Sequence, residues 1–165
     1  MLDIKTFQCN MLAENCYVVN DDSNEAVIID CGAVYPEERQ AIAGHIARKK
    51  LKPVHLLCTH GHLDHCMGNA FILQQYGLMP EVPTPGHTPG SVIFYCEEEK
   101  VAFSGDTLFR MSIGRTDFER GSWTDMMKSL HEVVGQLPKD VTVYCGHGPA
   151  TTIGEELVMN PYLRS

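Results

Sequence analysis

The sequence has no long apolar run: the longest uninterrupted stretch, Val92–Cys96, is five residues. A membrane-spanning helix needs about 20, so no membrane association through such a helix is expected. A secretory leader is also missing from the pattern, because Met1-Leu2-Asp3-Ile4-Lys5-Thr6 carries an early acid and no apolar segment. Nor is there a basic excess. Thirteen Lys and Arg stand against 21 Asp and Glu, a formal charge of -8, which argues against nucleic acid as a partner. The one basic cluster, Arg48-Lys49-Lys50, falls at an expected helix end, where cations complement the dipole. No CxxC pair occurs among the seven cysteines, and no GxSxG occurs anywhere. That excludes a zinc ribbon, a thioredoxin-like site and a serine-hydrolase elbow. An odd cysteine count without a leader predicts reduced thiols and a cytoplasmic location.

What is present suits one domain over residues 1–165, with 44% hydrophobic residues to build its core. Strand-like runs open the chain at Leu2–Phe7, Cys16–Val19 and Ala26–Ile29. Between the last two, Asp21-Asp22-Ser23-Asn24 is turn chemistry and predicts a hairpin. Pro36-Glu37-Glu38 starts a helix whose stripe is Ile42, Ala43, Ile46 and Ala47, ending near Lys50 before Pro53. A buried strand over Val54–Cys58 precedes a short helix from Gly68 to Tyr76. Residues 77–90, rich in proline and glycine, read as loop. Strands are expected at Ser91–Cys96, Lys100–Phe103 and Val141–Cys145. Ser122 and Asp125 resemble a capping box, opening a helix whose core face is Trp123, Met126, Met127, Leu130, Val133, Val134 and Leu137. A last short helix starts at Ile153. The class is mixed α/β.

Chemistry concentrates at strand ends. Thr59-His60-Gly61-His62-Leu63-Asp64-His65 follows a strand and holds three imidazoles and a carboxylate. Residues two apart diverge on a helix, so this spacing suits a turning loop. His87 lies in Pro85-Gly86-His87-Thr88-Pro89-Gly90, Asp106 in Ser104-Gly105-Asp106-Thr107, and His147 in Gly146-His147-Gly148-Pro149. Glycine beside each group permits close backbone approach. Five histidines and two aspartates suit two metal ions sharing a bridging carboxylate. His45, His55 and His131 have no companion ligands and read as ordinary polar residues.

These four motifs together resemble the metallo-β-lactamase superfamily, and within it the glyoxalase II-like (hydroxyacylglutathione hydrolase-like) branch. Asn15-Cys16-Tyr17, Ile29-Asp30-Cys31-Gly32, Gly114-Arg115-Thr116-Asp117-Phe118 and Thr152-Ile153-Gly154-Glu155-Glu156 extend the resemblance over nearly the whole chain. It implies an αββα sandwich with a dinuclear site. His60, His62 and His87 would hold one ion, Asp64, His65 and His147 the other, and Asp106 would bridge. Asp30 would stand behind the ligands, fixing an imidazole tautomer. Only 21 residues separate His65 from His87, where the family carries several tens. The fold is therefore expected to be short of some edge strands and of one pocket wall, with Tyr76–Pro83 reading as an abrupt join.

The implied activity is hydrolysis of a small-molecule thioester or related ester by a hydroxide generated at two divalent ions. Zinc is the first choice, and iron(II) and manganese(II) also suit these ligands. Asp64 and Asp106 would be the carboxylates at the reacting centre. Arg115 is a candidate anion contact for the substrate, set against a simpler role bracing Asp117. Glyoxalase II itself grips glutathione with a C-terminal helical extension, which this chain, ending at Ser165, does not show. Two alternatives are a persulfide dioxygenase, with one iron on His60, His87 or His62, and Asp106, and a non-catalytic metal-binding domain. A β-lactamase fits the Gly114–Phe118 loop less well.

Overall fold

The computed structural model describes residues 1–78, 80–81, 87–88 and 91–164. The chain divides into two compact units, Met1–Val82 and Pro83–Ser165.

The first unit is a five-stranded sheet in chain order. It comprises β1 (Asp3–Cys9), β2 (Glu14–Asn20), β3 (Glu25–Ile29), β4 (Lys52–Leu57) and β5 (Pro80–Glu81). The first three are antiparallel; β4 and β5 add in parallel. The predicted hairpin forms between β2 and β3, where the Asp21 carboxylate accepts from the Ser23 amide at 2.8 Å. A parallel neighbour needs a crossover, and α1 (Pro36–Lys49) supplies it. The Glu38 carboxylate accepts from the amides of Val34 and Tyr35 at 2.8 and 3.0 Å, closing the α1 N-terminus, and from Asn10 at 2.7 Å. Lys50 ends the helix in the left-handed region. Ile42 and Ile46 of α1 and Ile72 of α3 (Asn69–Tyr76) pack with Val18, Ile28 and Leu56 of the sheet. Each such side chain contributes about 1.5–3 kcal/mol on burial.

The second unit is a four-stranded sheet ordered β11-β10-β7-β6. Its strands are β6 (Phe94–Cys96), β7 (Val101–Gly105), β10 (Thr142–Cys145) and β11 (Thr151–Thr152). β10 is parallel to β7, the others antiparallel. A small hairpin joins β8 (Leu108–Phe109) to β9 (Ser112–Ile113). Met126 and Leu130 of α4 (Trp123–Glu132) and Ile153 of α5 (Ile153–Met159) cover the sheet residues Ala102, Val143 and Cys145.

Several expectations need correction. The first unit also contains a one-turn helix, α2 (Leu63–Cys66), so Asp64 and His65 sit on a helical turn rather than in a loop. The strand expected from Ser91 begins at Phe94. The helix opened by Ser122, whose hydroxyl caps the Asp125 amide at 3.2 Å, stops at Glu132 and yields to a 3-10 turn, Val134–Gln136. That break turns Val133 outward, 55% exposed, and Trp123 is 53% exposed, so neither belongs to the core stripe. Within the expected loop 77–90, Pro80–Glu81 is a strand; residues 79, 82–86 and 89–90 lie outside the described ones. All seven cysteines are free thiols. Among the described residues no helix is long and apolar enough to cross a membrane.

Candidate metal centre

In the first unit the ligand candidates grow from the end of β4. Asp30, just past β3, takes the left-handed conformation (φ 51°), which Asp tolerates better than most residues. Its carboxylate is the hub of the local network. One oxygen accepts from the Thr59 amide at 2.6 Å, and the other from the Thr59 hydroxyl at 2.6 Å and His65 Nδ1 at 3.0 Å. Because the Thr59 proton goes to Asp30, the Thr59 oxygen accepts from His60 Nδ1, 3.0 Å away. Both buried imidazoles therefore carry their proton on Nδ1, and Nε2 bears the lone pair, as a metal ligand requires. The His60 ring lies 4.8 Å from that of His62 and 4.1 Å from that of His65. Asp30, His60 and His65 offer donor atoms within 4.8 Å of one another. Asp64 Oδ2 is 3.7 Å from His65 Nε2.

In the second unit His87 Nδ1 donates to the Arg115 carbonyl at 2.6 Å, giving that imidazole the same tautomer. Asp106 Oδ2 lies 3.7 Å from His87 Nε2 and 3.6 Å from His147 Nε2. These separations are too long for hydrogen bonds. They are close to the roughly 3.4 Å between two donors each about 2.1 Å from one tetrahedral ion. The same holds for the Asp64–His65 pair. Acceptor-fixed tautomers and donor spacing thus both fit a divalent metal.

Some contributors escape sequence reading. Glu14 is fully buried, and its carboxylate has no hydrogen-bond partner among the described residues. One of its oxygens is 3.9 Å from His65 Nδ1. Burial pushes the Glu14 carboxyl up to about 11, with His65 opposing and Asp30 adding to the rise. A Cβ on Gly32 would overlap the Asp64 carbonyl and this carboxylate, and one on Gly114 would overlap the Asp106 carbonyl. The sequence signal for Glu14 is an acid just ahead of the apolar run Cys16–Val19. Arg115 donates twice to Asp117, both at 2.8 Å, and covers the Phe118 ring at 4.4 Å. That pair holds the Asp117 carboxyl near 2. His45 and His131 belong to α1 and α4, and His55 to β4, away from these groupings.

Comparison with known proteins gives a consistent family. The model of the metallo-beta-lactamase superfamily matches residues 10–80 and 77–147, two stretches that meet at 77–80. Hydroxyacylglutathione hydrolase GloC of Haemophilus influenzae is 30% identical, with 99% of each chain covered. That alignment runs over 214 residues against a chain of 165, so the relative carries a stretch without counterpart here. Among solved structures, BLEG-1 B3 metallo-beta-lactamase aligns with a TM-score of 0.92 at 30% identity, over 99% of this chain and 100% of the other. TTHA1623, solved in a di-iron-bound form, aligns with a TM-score of 0.87 at 28% identity, over 96% of this chain and 100% of the other. With its α/β fold and its His and Asp donor groups, the chain belongs to the metallo-beta-lactamase superfamily, most of whose members are metal-dependent hydrolases.

Proposed function

We propose that this protein is a cytoplasmic, glyoxalase II-like hydrolase that cleaves a small-molecule thioester or related ester, with residues 1–165 acting as one domain. The observation that carries the reading is Asp106 Oδ2 facing the Nε2 atoms of both His87 and His147 at co-ligand distance. The likeness to a hydroxyacylglutathione hydrolase supports the substrate class. The proposed ligands are His60, His62 and His87 for one ion, Asp64, His65 and His147 for the other, and Asp106 for both. Zinc is the first choice; the di-iron form of TTHA1623 supports iron as a second, and manganese suits the same donors.

A divalent ion held by these residues would supply Lewis acidity, lowering the pKa of a bound water from 15.7 toward about 7. The chain's residues do the rest. Asp30, through Thr59 and His65, keeps the imidazoles in the ligating tautomer. The Arg115 carbonyl does so for His87. Asp64 would accept a hydrogen bond from the attacking water and so orient it. A thioester suits the site because its thiolate leaves without needing a proton donor. Arg115 is the proposed contact for an anionic substrate group, in competition with Asp117.

The test is metal content by elemental analysis together with turnover of a glutathione thioester. Close to two ions per chain and measurable cleavage are expected, and Asp106→Ala should lose both together. One iron with oxygen consumption, two ions without thioester cleavage, or full turnover by Asp106→Ala would each defeat the reading.

A further inference from the structure

Asn10 lies in the turn between β1 and β2 with φ 51°, the left-handed region that Asn tolerates better than most residues. Each of its polar groups reaches a different segment. Its backbone amide donates to Glu38 Oε1 at 2.7 Å, at the start of α1. Its side-chain oxygen accepts from the Leu12 amide at 2.9 Å. Its side-chain nitrogen donates to two carbonyls, that of Gly32 at 3.1 Å and that of Asp64 at 2.9 Å.

The bond to Asp64 falls on an element that cannot place itself. α2 is a single turn, Leu63–Cys66, and so short a helix has no stability of its own. Bonds from outside decide where it stands. In a longer helix the Gly68 amide would close on the Asp64 carbonyl; here it donates to the Cys31 carbonyl at 2.8 Å, and Asn10 takes its place at Asp64. Both anchors thus meet on Cys31-Gly32, just after Asp30, whose carboxylate holds the His65 ring. The approach is close: a Cβ on Gly32 would stand 1.9 Å from the Asp64 carbonyl oxygen and 2.7 Å from Asn10 Nδ2.

We propose that Asn10 is a positioning residue for the metal centre: its amide, bridging the carbonyls of Gly32 and Asp64, sets where α2 presents Asp64 and His65. The inference rests on the reading above that these two residues share one ion. Both side chains leave the same turn, with Asp64 Oδ2 3.7 Å from His65 Nε2. Asp30 fixes the His65 ring, and Asn10 fixes the backbone that carries both ligands. His60 and His62 precede α2, so the ion assigned to them should depend little on this bond.

Asn10→Asp isolates the two donors. Asp suits the left-handed turn, keeps an oxygen for Leu12 and leaves the bond to Glu38, but turns oxygen toward both carbonyls. Its added negative charge alone would strengthen cation binding, so a fall in affinity reports lost geometry. The full chain is titrated with Zn(II) against a chromophoric chelator. Hydrogen exchange in the metal-free protein follows the amides of His65 and Met67, which bond within the turn to the carbonyls of His62 and Leu63 at 3.1 and 2.8 Å. Wild type should bind two ions. Asn10→Asp should keep one at wild-type affinity, hold the other about 10- to 100-fold more weakly, and exchange both amides faster. Asn10→Gly, which also accepts the backbone angle and has no donors, should do the same. Met11→Ala, at an 83% exposed neighbour, should match wild type. Equal weakening of both ions, as a general loss of stability would give, overturns the inference, as do two ions at full affinity or unchanged exchange in the Asn10 variants. A wild type without a second ion defeats the ligand set and the metal half of the inference, and the exchange rates then decide whether Asn10 holds α2.

Discussion

Glu156 is the side chain whose removal should do most damage to the second unit without touching a proposed ligand. It is fully buried in α5. It accepts from the Met111 amide at 2.9 Å, the Thr151 hydroxyl at 2.6 Å and the Asn160 amide at 2.8 Å. Asn160 in turn donates to the Ser112 carbonyl at 3.0 Å, so the network pins the β8–β9 hairpin to α5. A hydrogen bond to a carboxylate is worth about 1.5–3 kcal/mol. Met111 is partly exposed and its amide can turn to water, so Glu156→Ala should cost about 3–5 kcal/mol rather than the sum of three bonds. Glu156→Gln should cost less than half as much. Its oxygen can serve Met111 and Asn160, while Thr151 redirects its proton to Glu155, 3.2 Å away. The single tryptophan, Trp123, stacks edge-on against Tyr162 at 5.9 Å within this unit. Its fluorescence therefore reports unfolding here in a urea titration. With a slope of about 1–3 kcal/mol per molar, the alanine variant should lose roughly 2 M from its midpoint. A midpoint within a few tenths molar of wild type would refute the reasoning.

Asp30→Asn would present an amide donor to Thr59 or His65 in place of an acceptor, and metal affinity should fall about 10- to 100-fold, measured by chelator competition. Burial, followed by Lys49, lowers the pKa of His45 from 6.5. The unfolded chain thus binds its proton more readily, and wild type should lose stability as pH falls below about 6.5. His45→Phe should show less of this acid loss in urea titrations at pH 7 and 5. Glu14 is displaced upward, so its contribution is present below 4.5 and is lost as pH rises. Glu14→Gln should therefore stabilise the metal-free protein more at pH 8 than at pH 5, and an equal effect at both would refute the assignment.

Much of the architecture was legible because it rests on period and punctuation. The Asp21–Asn24 turn, Pro36 at a helix start and the Ile42/Ile46 stripe each have a local cause, and the elements form where those causes lie. The two-residue strands β5, β8, β9 and β11 were not legible, since two residues carry no period and only long-range pairing defines them. Val133 and Trp123 continue the helical stripe in sequence, yet the helix ends before Val133 could turn inward. At the site, the clustered histidines could be read as donors from the spacing of the chain. The buried acids could not. Glu14 and Glu156 have the composition of surface residues, and only the tertiary fold encloses them. Arg115 invited a substrate role, and its bidentate hold on Asp117 shows the competing partner that sequence proximity also allowed.

The strand orders of the two sheets carry a consequence for folding in time. In the first sheet each strand lies beside its predecessor in the chain, so the two antiparallel closures are short and the two crossovers, 30–51 and 58–79, stay shorter than the 106–141 connection of the second sheet. In the second, β10 must find β7 from the far side of α4, a more distant search and a slower one. On the ribosome the early sheet has the shorter search and emerges first. The segment carrying His60, His62, Asp64 and His65 then sits on a formed sheet while the pairing of β7 with β10, beside Asp106 and His147, is still to be made.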